Sequence, residues 1–288
     1  MIRSFKRADL PVLIPLIQED KHMQPDEISE RLTDNTTWVY GDGVLQGCAA
    51  VTGVRATASG RQQISCWLYV GPAFRQRGIG SALWTVVAEH LRRRDADLIC
   101  TGYRSDRGGA PAFFAARGFH PWFSSHLLSY TGPGFPRADL QALPYTDELF
   151  EHCIRLLNEG FRELRETNVI HPTLPYPPGY DQAAARQEFQ EAAQNNWLFA
   201  VDGQIVGLAQ VGPDYIDNLV VAADQQRKGY GRQITQFCIN LLRERGAEVV
   251  KLGVLDSNRG ARALYDSLGF SFIETHTFAR LDHSQLRR

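Results

Sequence analysis

The fold of this chain can be inferred outward from one segment, Ile216-Asp-Asn-Leu-Val-Val-Ala-Ala-Asp-Gln-Gln-Arg-Lys-Gly-Tyr-Gly-Arg-Gln-Ile234. Its β-branched and aliphatic start is typical of a buried strand, and a helical pattern begins at Gly229 after a polar turn. Glycine allows the backbone to approach a ligand with no Cβ in the way. The free N–H groups of the first helical turn favour an anion, and Arg227 and Lys228 add positive charge. The segment therefore predicts a phosphate or pyrophosphate site.

Two better-known phosphate patterns do not fit this segment. A dinucleotide-binding turn needs a third Gly or Ala, and Ile234 occupies that position. A P-loop needs Gly-Lys followed by Ser or Thr, whereas the order here is Lys228-Gly229-Tyr230. Taken alone, the segment also fits an ordinary strand–turn–helix with a glycine-rich turn.

A second copy of the pattern lies in the first half of the chain, at Leu68-Tyr-Val-Gly-Pro-Ala-Phe-Arg-Gln-Arg-Gly-Ile-Gly80. Val70 precedes Gly78 by the same interval at which Val221 precedes Gly229. An internal repeat with flanking matches indicates two domain-sized units. The further matches are Arg75 with Gln226, Thr37–Tyr40 with Asn196–Phe199, Gly47 with Gly207, and Ala115–Phe119 with Asp266–Phe270.

The composition is typical of a globular protein, with 43% hydrophobic and 22% charged residues and a formal net charge of −1. This balance gives no electrostatic case for nucleic acid or an anionic membrane as partner, and no apolar run reaches membrane-spanning length. The five cysteines show no C-x-x-C spacing and are odd in number, so we expect core residues rather than disulfides or a metal site. An apolar run over residues 10–17 is interrupted by prolines and has no cleavage site, which favours a cytoplasmic protein over a secreted one.

Periodicity and turn residues predict the same order of strands and helices twice. A turn-rich break at Thr131–Pro136 predicts the boundary, which gives domains 1–134 and 135–288. The predicted helices and strands are 1–8 (strand), 9 onward (helix), 25–32 (helix), 38–40 and 47–54 (hairpin), 64–70 (strand), 80–94 (helix), 98–103 (strand), 110–117 (helix), 123–130 (strand), 147–165 (helix), 182–194 (helix), 197–201 and 204–211 (hairpin), 229–245 (helix), 249–254 (strand), 259–268 (helix), and closing strands up to 281.

The turn Gln226-x-x-Gly229-x-Gly231 resembles the acyl-CoA loop of GCN5-related N-acetyltransferases (the GNAT superfamily). The resemblance covers nearly the whole chain, twice. It implies an α/β fold of two tandem GNAT-like domains, each a central mixed sheet flanked by helices, with acetyl-CoA as cofactor. The residues that it assigns to coenzyme A are Leu219, Val220, Val221, Gln226, Arg227, Lys228, Gly229, Tyr230, Gly231 and Arg232 in the second half, and Arg75, Gln76, Arg77, Gly78, Ile79 and Gly80 in the first.

The pattern Asn258-x-x-Ala261-x-x-x-Tyr265 also resembles the family, in which a tyrosine at this position sits near the thioester sulfur. The resemblance implies that Asn258 and Ala261 contact the cofactor and that Tyr265 protonates the leaving thiolate. The alternative is that Tyr265 is an amphipathic aromatic that packs the helix onto the sheet.

The first half departs from this pattern, because Arg107 stands at the position of Asn258 and Phe114 at that of Tyr265. Phenylalanine has no proton to give. We therefore expect the C-terminal domain to be catalytic and the N-terminal domain to bind acyl-CoA without turnover or to act as a scaffold. Tyr69 or Tyr103 replacing the missing acid is the alternative.

Removing the proton of a lysine-like amine at pH 7 costs roughly 4–5 kcal/mol, so a base is useful. Asp217 lies on the strand that leads into the loop, where the resemblance places an acidic residue facing the cleft. Its alternative role is to order neighbouring backbone or to form a salt bridge. In the proline-rich loop and the helix before it, Phe161, Tyr176 and Tyr180 are candidate acceptor-site residues, or packing residues for a stiff loop.

These features predict an acetyl-CoA-dependent N-acetyltransferase that moves an acetyl group to a primary amine by direct attack. Two other classes stay open, namely a non-catalytic acyl-CoA sensor or scaffold and an O-acyltransferase. The expected partner is a small-molecule amine or a peptide, which the sequence does not name, and the expected assembly is a monomer or homodimer.

Overall fold

The structure is a computed structural model that describes residues 1–57, 60–137 and 139–286. Its α-helices are α1 (Leu10–Gln18), α2 (Pro25–Thr33), α3 (Ile79–Arg92), α4 (Ala110–Ala115), α5 (Phe150–Thr167), α6 (Gln182–Glu191), α7 (Tyr230–Glu244), α8 (Arg259–Leu268) and α9 (His283–Leu286). Its strands are β1 (Ile2–Ser4), β2 (Thr36–Asp42), β3 (Val44–Val51), β4 (Arg55–Ala56), β5 (Gln62–Val70), β6 (Leu98–Arg104), β7 (His120–Tyr130), β8 (Gln141–Pro144), β9 (Asn196–Val201), β10 (Gln204–Val211), β11 (Tyr215–Val221), β12 (Val250–Leu255) and β13 (Ser271–Asp282).

The chain divides into two compact units, and each unit is built from more than one segment of the sequence. Unit 1 comprises 1–103, 107–122 and 278–288, and unit 2 comprises 104–106 and 123–277. The division into 1–134 and 135–288 inferred from the turn-rich break therefore differs from these units at β7 and β13. The predicted closing strands are also one long strand, β13. Strand pairing decides both points, and pairing between distant segments leaves no local signal in the sequence.

Unit 1 contains a sheet in the order β1-β2-β3-β5-β6, and the end of β13 lies beside β6. Helix α3 packs on one face through Leu83, Val87 and Leu91, which recur at helical spacing and are buried. Helices α1 and α2 pack against a separate buried cluster that includes Leu13 and Ile28. Helices therefore flank both faces of the sheet, as predicted.

Unit 2 contains a sheet in the order β7-β12-β11-β10-β9-β8. Helices α7 and α8 pack on one face, where Ile234, Cys238 and Leu242 are buried at helical spacing. Helices α5 and α6 pack into another cluster through Leu157 and Phe189. The predicted α/β class, with two mixed sheets flanked by helices, is confirmed.

Two smaller expectations concern cysteine and membrane spans. All five cysteines are buried and free, as predicted for core residues. Of the helices that the structure describes, none is long and apolar enough to cross a bilayer.

The internal repeat extends to positions where only glycine fits. Gly47 pairs with Val70, and Gly207 pairs with Val221, at equivalent places in the two units. A Cβ at Gly47 would lie 2.6 Å from the Tyr69 carbonyl oxygen, and one at Gly207 would lie 2.7 Å from that of Val220. The repeat read from the sequence is therefore confirmed by backbone packing.

Candidate active site

A break in strand pairing organises unit 2. Within the part of the chain that the structure describes, β12 pairs with β11 only through Tyr215 and Ile216. Against β10, Val211 faces Ile216 and Gln210 faces Asn218, which leaves Asp217 as the extra residue of a β-bulge. Bulges re-aim side chains and end pairing. The remaining length of β11 therefore presents backbone groups that no neighbouring strand uses on that edge.

A cavity of about 490 Å³ lies beside this divergence, with all its lining residues in unit 2. This volume is within the range of small-molecule sites. The cavity brings together seven predicted site residues, which are Phe161, Tyr176, Asp217, Leu219, Asn258, Ala261 and Tyr265. Tyr180 instead contacts the ring of Tyr176, with centroids 5.4 Å apart.

Tyr265 is buried on α8, with 7% of its surface exposed, and its ring packs on Phe270. Burial raises the pKa of Tyr265 to about 12, and Cys238 and Tyr215 add to the rise. A phenol with this pKa keeps its proton at neutral pH. The side chain therefore fits both interpretations made from the sequence, because it packs α8 onto the core and also carries a proton at the cavity wall.

Tyr215 is a third phenol in the same cavity, besides Tyr176 and Tyr265, and no sequence pattern pointed to it. Its burial, followed by the negative charge of Asp217, raises the pKa of Tyr215 to about 12. Its hydroxyl lies so close to Gly253 that a Cβ there would be 2.6 Å from the phenolic oxygen. Gly253 therefore makes room for Tyr215, and this pairing of positions is not visible in the sequence.

Asp217 lines the cavity, and its residue surface is exposed to solvent. The surrounding protein still removes much of its hydration, which raises the pKa of Asp217 above the ordinary aspartate value. No ion pair joins Asp217 to another described residue, so the salt-bridge role considered for it has no partner there. A carboxylate with a raised pKa is a better proton acceptor for an amine.

A relay of amide side chains ends at this carboxylate. Asn196 donates to the Ala192 carbonyl at 2.9 Å, so its own carbonyl accepts from Gln210 at 2.6 Å. Gln210 in turn accepts from Asn218 at 2.8 Å. Because a backbone carbonyl only accepts, the direction of the whole relay is fixed. The Asn218 amide also donates to the Asp217 carboxylate at 3.4 Å, and no described residue donates to the Asn218 side-chain carbonyl oxygen.

The predicted phosphate loop has a left-handed backbone at two positions. Arg227 has φ +62° and Gly229 has φ +88°, and Gly229 precedes α7 as its N-cap. The N–H groups of Tyr230 and Gly231 find no acceptor among the residues that the structure describes. Left-handed residues next to right-handed ones, and N–H groups of a first helical turn without an acceptor, are features of anion sites. The loop therefore fits a pyrophosphate, and Arg227 is exposed beside it.

Several residues assigned to coenzyme A make their observed contacts within the protein. The Gln226 side chain donates to the Val221 carbonyl at 3.3 Å, and Lys228 donates to Gln225 at 2.9 Å. Asn258 caps α8 by accepting from the Ala261 N–H at 3.2 Å, which explains their spacing. The other contacts are Arg232 with the Ser267 hydroxyl, Val220 in the cluster with α5, and Val221 and Tyr230 beside the cluster with α7.

The loop of unit 1 repeats this backbone. Gln76 has φ +59° and Gly78 has φ +81°, and the Arg75 Nε donates to the Val70 carbonyl at 3.0 Å as Gln226 does to Val221. Arg75 and Gln226, the first residues of the two motifs, therefore each hydrogen-bond to the end of the strand that precedes the loop. Of the remaining predicted residues, Ile79 is buried, Gly80 approaches the ring of Phe113, and Arg77 lies over the ring of Phe74.

Unit 1 fills the positions that line the cavity in unit 2. Cys66 stands where Asp217 does and is buried, and Trp67 stands at the position of Asn218. Phe114, the counterpart of Tyr265, stacks on Tyr103 with centroids 5.1 Å apart. Cys66, Trp67 and Phe114 belong to packed clusters, and Phe114 has no proton to give. Replacement of the missing acid by Tyr69 or Tyr103 stays a prediction.

The α/β unit with a glycine loop between strand and helix is therefore present twice, and the cavity described lies in unit 2. Residues 158–270 match the sequence pattern of the acetyltransferase (GNAT) family. Residues 33–121 match that of the acetyltransferase (GNAT) domain. The chain belongs to the GNAT family of acetyltransferases, with one match in each half.

Solved structures share the whole architecture. A GCN5-related N-acetyltransferase from Sphaerobacter thermophilus aligns with a TM-score of 0.72 at 20% identity, over 98% of this chain and 95% of that one. A tandem GNAT protein from the clavulanic acid biosynthesis pathway aligns with a TM-score of 0.64 at 17% identity, over 98% of both chains. At these identities the likeness concerns the fold.

Curated relatives match over shorter segments. The mycothiol acetyltransferase of Thermomonospora curvata is 43% identical over 75 residues, which are 24% of this chain and 25% of that protein. The ribosomal protein bS18 alanine N-acetyltransferase of Escherichia coli K12 is 44% identical over 54 residues, 19% of this chain and 36% of that protein. The chain thus spans about a quarter to a third of the curated relatives that it matches.

Proposed function

We propose that unit 2 transfers an acetyl group from acetyl-CoA to a primary amine. The observation that carries this proposal is that one cavity contains a proton-bearing phenol, Tyr265, and a carboxylate of raised pKa, Asp217, beside diverging strands. The likeness to acetyltransferases supports the same reaction. Bound acetyl-CoA supplies the activated acyl group.

The protein would hold coenzyme A along β11 and at the start of α7. The free N–H groups of Tyr230 and Gly231, with the exposed charge of Arg227, suit the pyrophosphate. Leu219 lines the cavity three residues before the loop begins, about 10 Å along an extended strand. The pantetheine arm would therefore run from the loop towards the two reactive side chains.

Each reactive side chain handles one proton. Asp217 accepts a proton from the amine as the new C–N bond forms, and Tyr265 donates its phenolic proton to sulfur as the C–S bond breaks. The free Asn218 carbonyl accepts a second hydrogen bond from the amine and orients it. The relay through Gln210 and Asn196 fixes that orientation before the amine arrives.

Release of the CoA thiol over a panel of primary amines tests the proposal. We expect Tyr265→Phe to lower kcat on the order of 10²-fold or more and to retain CoA binding by calorimetry, since the ring keeps its packing. Tyr103→Phe, which removes a phenol in unit 1, is the matched comparison. We expect unchanged turnover, and a loss would support Tyr103 as an acid of unit 1.

Other results point to other functions. Saturable CoA binding with no thiol release from any amine would indicate an acyl-CoA sensor instead. An ester rather than an amide in the product would indicate O-acyl transfer. If Tyr215→Phe abolished turnover while Tyr265→Phe did not, Tyr215 would be the acid.

A further inference from the structure

The cavity contains a cation for which the proposed reaction has no use. Arg165 lies near the end of α5 and lines the cavity. Its Nε donates to the Pro172 carbonyl at 2.7 Å, which fixes the direction of the guanidinium. Neither Nη atom donates to an acceptor, and no carboxylate pairs with Arg165, among the described residues.

Two other arginines in the unit are paired with carboxylates. Arg186 pairs with Asp147, and Arg262 pairs with Asp256. Arg165 is held partly out of water instead, and burial lowers the pKa of its guanidinium. Desolvating an unpaired charge costs free energy unless a partner arrives. The two Nη groups therefore form a vacant fork suited to an anion.

A charge of the opposite sign occupies another part of the same cavity. Asp217 and the Asn218 carbonyl present acceptors from β11, whereas Arg165 presents donors from α5. Asp217 and Arg165 do not form an ion pair with each other. Leu157, Phe161 and Ile170 line the cavity with apolar surface. A ligand with an amine and an anionic group joined by an apolar body would match this arrangement.

We propose that Arg165 binds an oxyanion group of the acceptor, so that the acceptor is a small amine that also carries a carboxylate or a phosphate. The guanidinium fork matches either group through paired hydrogen bonds. The inference rests on the proposed function, because it names the acceptor class of the same site. Arg165 is then a specificity-determining residue.

Matched pairs of amines test the inference on the full chain. L-leucine is compared with leucinamide, and O-phosphoethanolamine with ethanolamine, in turnover with acetyl-CoA and in calorimetric binding to the CoA-bound protein. We expect the anionic member of at least one pair to be preferred on the order of 10- to 100-fold, mainly through KM. The pair that shows the preference distinguishes carboxylate from phosphate.

The variants separate recognition from folding. Arg165→Gln should remove the preference for the anionic amine, while the turnover of the neutral amine and the affinity for CoA stay the same. Arg165→Lys should restore part of the preference. Arg162→Gln, at an exposed arginine of the same helix, is the matched control and keeps the preference. Thermal unfolding confirms that each variant is folded.

The outcomes distinguish the two proposals. Equal handling of both members of every pair by the unchanged protein would overturn the role of Arg165, as would a loss in Arg165→Gln that affects both members alike or weakens CoA binding. Preferential binding of an anionic amine through Arg165 without any acetyl transfer would retain the inference and reject the proposed reaction.

Discussion

At the residue scale, the proposed base is Asp217, and the surrounding protein removes part of its hydration. The pKa of this carboxyl is raised by burial, so its protonated form is the one that the fold favours. Between the unfolded and folded pKa values the native state binds more protons, and stability falls as pH rises through that window. At neutral pH the ionised carboxylate is therefore a cost to stability, which the proposed role as a base explains.

Asp217→Asn should lower activity without lowering stability. We expect kcat to fall on the order of 10²-fold or more because the base is lost. The free energy of unfolding at pH 7 should stay equal or rise, because the amide removes a desolvated charge. Steady-state kinetics and denaturant unfolding at pH 7 measure both effects. A variant that unfolds more easily while it keeps its kcat would assign Asp217 a structural role.

The raised pKa of Asp217 also predicts the pH below which turnover decreases. The base must be ionised, so activity should fall with decreasing pH around a midpoint above the ordinary aspartate value of about 3.9. A profile of kcat/KM against pH with a fast-dissociating acceptor measures this midpoint. In Asp217→Asn the limb should disappear, and its persistence would mean that another group titrates.

At the element scale, close helix packing positions the wall of the cavity that α5 forms. A Cβ at Gly160 of α5 would lie 2.2 Å from Val220 Cγ1 on β11. The glycine therefore lets α5 approach the sheet, and the next residue, Phe161, lines the cavity. The wall of the cavity depends on a contact that any side chain would prevent.

Gly160→Ala should displace this wall. We expect a loss of about 1–2 kcal/mol in the free energy of unfolding, because overpacking exceeds the gain in helix propensity, together with a raised KM for the acceptor. Denaturant unfolding and kinetics measure the two effects. Glu159→Ala, at the exposed neighbouring position, should change neither quantity. Unchanged stability in Gly160→Ala would mean that α5 has room to move.

The phosphate loop allows a comparison of two glycines at opposite ends of α7. Gly229 has φ +88° and Gly246 has φ +93°, and a Cβ would meet no atom within 4 Å at either. Alanine therefore causes similar backbone strain at both. We expect Gly229→Ala to weaken CoA binding by about tenfold or more and Gly246→Ala to leave it unchanged, as measured by calorimetry. Equal affinities would contradict the anion site.

At the scale of the whole molecule, the composition of unit 2 predicts which fragments fold. Strand β7 pairs with β12 from Tyr130 opposite Val250 to Ser125 opposite Leu255. A fragment of residues 135–288 lacks this strand, whereas a fragment of residues 123–277 retains it. We expect cooperative thermal unfolding, followed by circular dichroism, only for the second fragment. Cooperative unfolding of residues 135–288 would support the boundary inferred from the turn-rich break.

The sequence by itself determined the repeated α/β class, the two loops and most elements between them. These features are local, because hydrophobic period, left-handed glycines and cap residues depend on neighbours in the chain. Helix α8 spans Arg259–Leu268, which is the range predicted from the sequence. The absence of a phenol at Phe114 was likewise readable from the sequence.

Only the tertiary structure decided which strands belong to each unit, the bulge at Asp217, the direction of the amide relay, and the vacant fork of Arg165. These features depend on strand register and on which side chains meet across neighbouring elements, such as Asn196 with Gln210, and neither leaves a periodic trace in the chain. Local sequence patterns determine which helix or strand a segment forms. The side chains that it contacts in the folded protein determine its hydrogen bonds and pKa values.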